Sequence, residues 1–328
     1  MLILTYKYRL KGKRSARQLR DFTRSGNQVW NFCVQTQRSV QKTRKEGLSP
    51  KWPSQFDLQK LTAGTSRDLR LHAQSINGIC EQFVRSRDLH KKCPHFRKSN
   101  GSKRSLGWIP FQTQSRQITS SSVTYLGNEY RFFGAKRRPL PETAKGGCFV
   151  EDARGRWWVC FHVEVDQLPQ APSRAVGIDF GLKILATLST GQKVEAPRHY
   201  RKLEDRLAIA QRANNKDLVR ALNERIRNKR NDYMHKWTTW ISRTFRVIFV
   251  GDVSSSKLAK TKMAKSVYAA GWFASKQALC YKASRHGGIC NEVSELFTTQ
   301  ICSECGAKPA SRPKDITDLG IKRSTTVT

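Results

Sequence analysis

Acidic residues are scarce in this chain of 328 residues: 25 Asp and Glu face 61 Lys and Arg, a formal net charge of +36. Ion pairing with so few acids cannot neutralise that surplus. A polyanion has to do so in use, and the phosphate backbone of nucleic acid is the expected one. The sequence also lacks any apolar run near the roughly 18–20 residues that cross a bilayer as a helix, so no membrane partner is expected. Its opening, MLILTYKYRL, has four apolar residues before Thr5, Tyr6 and Lys7. That falls short of a secretory signal and reads as a first β-strand. The nine cysteines are odd in number and scattered. They predict a reducing, cytoplasmic setting, nucleoid-associated in a bacterium, with most thiols serving as small buried apolar groups. What is present is enough for real cores: 38% of residues are hydrophobic, with eight Trp. This excludes a histone-like tail and suits two or three domains.

Residues 12 to 92 read as helical. Ile76, Ile79, Cys80 and Phe83 fall at i, i+3, i+4 and i+7, one apolar stripe of a helix. Leu19, Phe22, Val29, Trp30 and Cys33 form an earlier, looser stripe, and Pro50 and Pro53 divide the region into several helices. The aromatics here stand at core spacing, which argues against base-stacking platforms. From about residue 100 strands take over. Trp157, Val159, Phe161, Val163 and Val165 share one face by strict alternation, and Asp152-Ala153-Arg154-Gly155 is a hairpin turn back to Cys148-Phe149-Val150. With the N-terminal strand these predict a small β-barrel that receives the helices as an insertion. Lys103-Arg104, Lys136-Arg137-Arg138 and Arg97-Lys98 decorate that unit and predict an RNA-binding surface.

A Pro-rich linker at Leu168 to Ser173 marks the next boundary. Beyond it, strands are expected at Ala175–Gly181, Ile184–Leu188, Gln192–Ala196, Val247–Val250 and Ile289–Val293. A basic helical stretch over 198–245, including Lys229 and Arg230, and a helix over Ala264–Arg285 separate the later strands. Strands first and helix crossovers afterwards is the order of an RNase H-like α/β domain. The first of these strands, Gly177-Ile178-Asp179-Phe180-Gly181, carries one acid on an apolar background. A buried carboxylate is costly unless paired, hydrogen-bonded or bound to metal, and the flanking glycines admit a metal and a phosphate. The structural alternative is an Asp that caps a turn at the strand end.

AVGIDFGLKILATLSTGQKVEAPRHYRKLEDRLAIAQR, then Val247 to Ser254 and Phe297 to Gly306, resemble the RuvC blocks of TnpB-like proteins. These are transposon-encoded relatives of the type V CRISPR effectors and of Fanzor proteins. The resemblance covers most of residues 173–320. It implies a RuvC-type nuclease domain over 173–297, preceded by a β-barrel wedge domain (1–11 and 96–168) with an inserted helical recognition domain (12–95). A partial zinc-ribbon segment and tail would follow over 298–328. The implied activity is RNA-guided DNA cleavage, with a guide RNA from the protein's own element and target DNA as partners. Mg²⁺ ions between three carboxylates would hydrolyse the phosphodiester.

Asp179 is the first of those carboxylates. The family pattern places Glu before Asp at the end of the next core strand, where this chain has Gly251-Asp252. Side chains alternate along a strand, so Asp252 would face away from a metal that position 251 faces. Relatives with an inert residue there resemble this chain in a Glu about 45 positions on, which is Glu295 here. Asp179 and Glu295 are thus the expected Mg²⁺ ligands. The family's third acid and second Cys pair have no counterpart before Thr328, as after a frameshift or early stop, and Asp315 and Asp318 fall at the variable loop. Cys302 and Cys305 alone supply two thiolates where a closed zinc site needs four ligands. The expectation is therefore an impaired nuclease. The alternatives are a guide-directed DNA-binding repressor without cleavage, a decayed gene product, and a transposase that joins DNA ends.

Overall fold

The structure, a computed structural model, describes residues 2–112, 116–134, 136–252, 258 and 261–294. The chain forms two compact units, Ile3–Val165 and a second from Asp166 onward.

In the first unit, strand β1 (Leu2–Arg9) is followed by four helices, α1 (Lys13–Lys45), α2 (Gln55–Leu61), α3 (Ser66–Leu69) and α4 (Ala73–His90). Six strands come next: β2 (Trp108–Phe111), β3 (Arg116–Ile118), β4 (Ser122–Tyr125), β5 (Asn128–Arg131), β6 (Ala144–Glu151) and β7 (Trp157–Val165). The β1 strand returns to pair with β7 in a four-stranded sheet ordered β1-β7-β6-β2, while β3-β4-β5 form a separate meander. The expected single barrel is thus built as two sheets, stitched by a bridge between Leu10 and Phe132. Both sheets feed one aromatic core in which Tyr125, Tyr130, Phe132, Phe149 and Phe161 are buried. The alternation read from Trp157 to Val163 sends those side chains inward. At the β6–β7 turn, the Asp152 carboxylate accepts from the backbone N–H of Arg154 and Arg156 and from Trp158 Nε1. Against the effect of burial, the Arg156 guanidinium, which also donates to it, and then these bonds hold it at a pKa of about 2.

The helices keep a core of their own. Ile76, Ile79, Cys80 and Phe83 of α4 meet Val29, Trp30, Cys33 and Val34 of α1, with Trp30 edge-on to Phe83 at 5.5 Å. The break at Pro50 and Pro53 is real. The α1 helix ends at Lys45, and α2 starts behind Pro53 with a capping box in which Ser54 and Asp57 satisfy each other's backbone N–H.

The second unit holds one mixed sheet of five strands, β8 (Ala175–Phe180), β9 (Ile184–Leu188), β10 (Lys193–Glu195), β11 (Val247–Gly251) and β12 (Ile289–Val293). Their order is β10-β9-β8-β11-β12. The first three are antiparallel neighbours, and β8, β11 and β12 run parallel. Parallel neighbours need crossovers. Helices α5 (Glu204–Arg212) and α6 (Lys216–Thr244) supply one, and α7 (Ala264–Ala270) and α8 (Trp272–Arg285) the other. Two expected continuous helices are split. Asn215 caps α6 by accepting from Leu218 N–H after Asn214 turns left-handed. Gly271, at φ +68°, ends α7 before α8 begins, because a left-handed residue cannot continue a helix.

The cysteines depart from the expected thiols at one place. Cys280 of α8 and Cys290 of β12 are joined as a disulfide, whereas Cys33, Cys80 and Cys160 are buried thiols.

Candidate active site and basic surfaces

Strand β8 sorts its side chains by alternation. Val176, Ile178 and Phe180 enter the core, and Asp179 lies exposed on the other face. Its neighbour across β9 is Thr187. The Gly177 backbone N–H donates to Ser189 Oγ at 3.0 Å. A side chain at Gly181 would strike the Ile184 carbonyl at 2.7 Å, so glycine is what allows the chain to turn from β8 into β9. Asp179, Thr187, Lys183, Leu258 and Trp272 line a cleft of about 510 Å³.

Register decides which other residues face Asp179. Strands β8 and β11 pair in parallel as Phe249↔Gly177 and Val250↔Ile178, so one step further Gly251 stands beside Asp179 on the same face. The β11–β12 register then adds Val293, the partner of Gly251. Asp252 has the opposite parity, and its backbone N–H donates to Val293 O at 2.9 Å. Glu292 is likewise on the far face, where Lys276 of α8 reaches it. Among the described residues of β8, β11 and β12, Asp179 is therefore the single acid on its face. Glu295, Cys302 and Cys305 lie outside the described residues, as do Asp315 and Asp318. No group of three or more His, Cys, Asp or Glu among the described residues could hold a metal ion. Asp179 by itself offers the hard carboxylate oxygen that Mg²⁺ accepts, and Mg²⁺ is commonly held by one or two carboxylates with water and phosphate completing its shell.

The basic residues singled out from sequence divide into two kinds. Lys103, Lys136, Arg137, Arg138 and Lys229 are exposed. Arg138 stacks over the Tyr6 ring at 3.3 Å, and its carbonyl accepts from Tyr8 OH. Arg104 is differently employed. Its two terminal nitrogens donate to the Glu151 carboxylate at 2.7 and 2.6 Å, and that carboxylate, fully buried, also accepts from Gly107 N–H. The guanidinium is consumed in holding a buried acid. Arg230 is half-buried, with Nη1 donating to Tyr268 O at 2.7 Å, and burial together with Arg227 lowers its pKa.

Sequence reasoning passed over a further basic row. On β1 and just after it, Lys7, Arg9 and Lys11 are exposed while Tyr8 and Leu10 are buried. Each of the three cations lies over an aromatic ring: Lys7 over Trp158, and Arg9 and Lys11 over Phe133. The signal was the period of two in Lys7-Tyr8-Arg9-Leu10-Lys11, hidden because the strand was read only for its apolar half.

The chain is similar to known proteins over most of its length. The family model described as "Probable transposase" (OrfB-type) matches residues 158–262, and a "Cas12f1-like, TNB domain" model matches residues 272–325. A Streptomyces pristinaespiralis protein named "Putative RNA-guided DNA endonuclease" is 28% identical over 300 residues, covering 85% of this chain and 72% of the relative. The similarly named InsQ of Escherichia coli (strain K12) is 30% identical over 287 residues, covering 78% of this chain and 69% of the relative. A cryo-EM structure of a Cas12f1–sgRNA–target DNA complex shares the fold, with a TM-score of 0.53 at 11% identity over 91% of this chain and 77% of that one. No described helix is long and apolar enough to cross a membrane. Since the transposase match runs across β8 and β11, where Asp179 and Gly251 sit, and a 30%-identical relative is matched over more than two thirds of its length, the chain belongs to the TnpB-like, OrfB-type transposase family.

Proposed function

We propose that this chain binds a guide RNA from its own element together with matching target DNA, and that the Asp179 face of β8 is where the DNA is cut. The observation that carries this reading is Asp179 itself. It is an exposed acid on an apolar central strand, lining a cleft, in a chain of net charge +36. The names of the two relatives and the guide RNA and target DNA in the Cas12f1 complex support the same reading. In it, residues 1–11 and 96–168 are the wedge that holds the guide, 12–95 the inserted recognition helices, and 173–297 the nuclease domain. Lys103, Lys136, Arg137, Arg138 and Lys229, joined by Lys7, Arg9 and Lys11, meet phosphate. The setting is the cytoplasm.

Asp179 and Glu295 are the proposed Mg²⁺ ligands, and the bound metal would supply an activated water and stabilise the leaving oxygen. Lys183, in the same cleft, holds the scissile phosphate. Gly251, beside Asp179, supplies no ligand. Glu295 takes that place, and with these two carboxylates as the assigned ligands our reading includes slow cleavage and favours as second reading a protein that occupies its target without cutting. Losing a carboxylate that holds a metal typically costs several kcal/mol of barrier reduction, more than about a hundredfold in rate.

The test is to purify the chain gently and analyse its bound RNA. It is then assayed with that guide and a matched target in Mg²⁺ and Mn²⁺. RNA should copurify, and Asp179→Ala should end cutting while target binding persists. Nucleic-acid-free protein would refute guide binding. Undiminished cutting by Asp179→Ala would remove Asp179 from the site.

A further inference from the structure

A cavity other than the Asp179 cleft lies in the second unit. It encloses about 850 Å³ between the segment 196–201, helix α6 and the α7–α8 junction, within the range of sites that hold small organic ligands (roughly 300–1,000 Å³). Leu185, Ile226 and Met234 give it an apolar floor, and Arg227, Arg230 and Lys265 stand in its wall.

Three features describe its occupant. The first is charge. Arg230 is half-buried beside Arg227, and both burial and that neighbour oppose its charge. A half-buried guanidinium with an exposed one beside it is stabilised by an anion that reaches both. The second is a hydrogen-bonding edge. His199 Nε2 is a buried atom with no hydrogen-bond partner among the described residues, and its ring is fixed edge-on to Tyr233. Burial, then Lys202 and Lys229, lower its pKa, so near neutral pH it is an uncharged imidazole able to donate or accept once. His199 itself lines the cavity, and a small turn of its ring would bring this unsatisfied edge to a group bound there. The third is flat aromatic surface. Tyr200 lies under Lys265, and Tyr268 is largely exposed at the cavity. A planar heteroaromatic ring with hydrogen-bonding edges, attached to an anion, satisfies all three.

We propose that this cavity binds the base-and-phosphate unit of a nucleotide. The base lies against the tyrosines with one edge on His199, and the phosphate lies at Arg227 and Arg230. This rests on the reading that the chain handles nucleic acid, and it favours as source an unpaired nucleotide swung out of a bound strand. Unstacked bases are commonly captured in this way, on aromatic faces and by their hydrogen-bonding edges. The site is separate from Asp179 and takes no part in cleavage.

The experiment uses the full chain, stripped of nucleic acid at high salt. AMP, CMP, GMP and UMP are titrated singly. A ten-nucleotide RNA carrying one 4-thiouridine is cross-linked and the attached peptides are identified. Ala274, exposed on α8 at the cavity wall, is changed to Trp, which fills space and removes no charge. Asn223→Trp, from the α6 wall, serves if Ala274→Trp does not fold. At least one mononucleotide should bind in about the millimolar range, and the filling variant should weaken it about tenfold or more. Cross-links should fall on peptides containing Tyr200 or Tyr268. A strand that binds far more tightly than its mononucleotide identifies the strand as source, and equal affinity identifies a free nucleotide. The proposal is overturned if the filling variants leave mononucleotide and cross-link unchanged, or if no mononucleotide binds. In those cases persistent, salt-sensitive RNA copurification leaves guide binding standing, whereas wild-type protein without RNA removes the reading beneath the proposal.

Discussion

Glu151, at the end of β6, and Asp179, in β8, are both strand carboxylates, one in each unit, and their surroundings put them to opposite uses. Glu151 is wholly buried and holds Arg104 through two hydrogen bonds and Gly107 through a third. Its charge is spent inside the protein. Asp179 is exposed, with no ion pair among the described residues, in a chain with a large excess of cations. An acid left without a partner under those conditions is available to a ligand. The contrast shows that an acid in a strand is informative only with its partners known. Burial with a matched cation reads as scaffold, and exposure at a cleft reads as chemistry.

The sharpest way to break the comparison is to remove each acid in turn. Asp179→Ala should reduce any guide-dependent cutting by more than about a hundredfold, equivalent to about 3 kcal/mol of barrier, while the unfolding midpoint in urea stays within about 0.5 kcal/mol of wild type. Glu151→Ala should do the reverse. Loss of the buried partner should cost the first unit about 2–3 kcal/mol, less than a fully buried pair because Arg104 is about one third exposed, with target cutting unchanged at low temperature. Denaturant melts followed by tryptophan emission and by far-ultraviolet circular dichroism would show which of the two variants has lost stability. Equal destabilisation by both substitutions would dissolve the distinction.

A milder effect separates the units by pH. Lys282 is buried between α6 and α8, where its ammonium donates to His235 O, Thr238 Oγ1 and Thr239 Oγ1. Burial lowers its pKa to about 8. Between that value and the unfolded pKa of about 10.4 the unfolded chain binds more protons. This group's contribution therefore makes stability rise with pH in that window, by at most about 1.4 kcal/mol per unit. Tyr8, Tyr125 and Tyr130 titrate in the opposite sense, since burial raises their pKa values. The difference between wild type and Lys282→Met isolates the lysine. The variant's stability advantage should be greatest at pH 7 and shrink towards pH 10, and an advantage independent of pH would show that Lys282 is not desolvated.

The smallest effect concerns the cationic row on β1. Changing Lys7, Arg9 and Lys11 together to Gln should lower the slope of log affinity for single-stranded RNA against log salt by about 2, at roughly 0.7 per phosphate contact. The melting curve of the first unit should scarcely move. An unchanged slope would mean that these cations serve only the rings beneath them.

Much of this architecture was readable where a short period met a strong apolar signal. The face of β7 follows directly from alternation, and the α1–α4 core follows from the spacing of Ile76, Ile79, Cys80 and Phe83. The helix over 264–285 was read as one because a lone glycine in a helical pattern is tolerated. Only the backbone at Gly271 reveals the left-handed turn. Arg104 looked like a phosphate contact because its partner stands 47 residues away, and no local pattern announces that pairing. The same holds for Cys280 and Cys290, brought to a Cα separation of 5.0 Å by a helix folding back on a strand.

By itself, the sequence determined the charge that demands a polyanion, the strand that carries Asp179, and the alternation that turns Asp252 away from it, because each is a property of composition or of a local repeat. Tertiary structure alone decided which cations are spent on buried acids, that Gly251 is the residue brought beside Asp179, and that His199, Arg230 and Tyr268 surround one cavity. Those outcomes depend on strand register and helix packing between distant segments, and such contacts are set by the summed burial of whole elements.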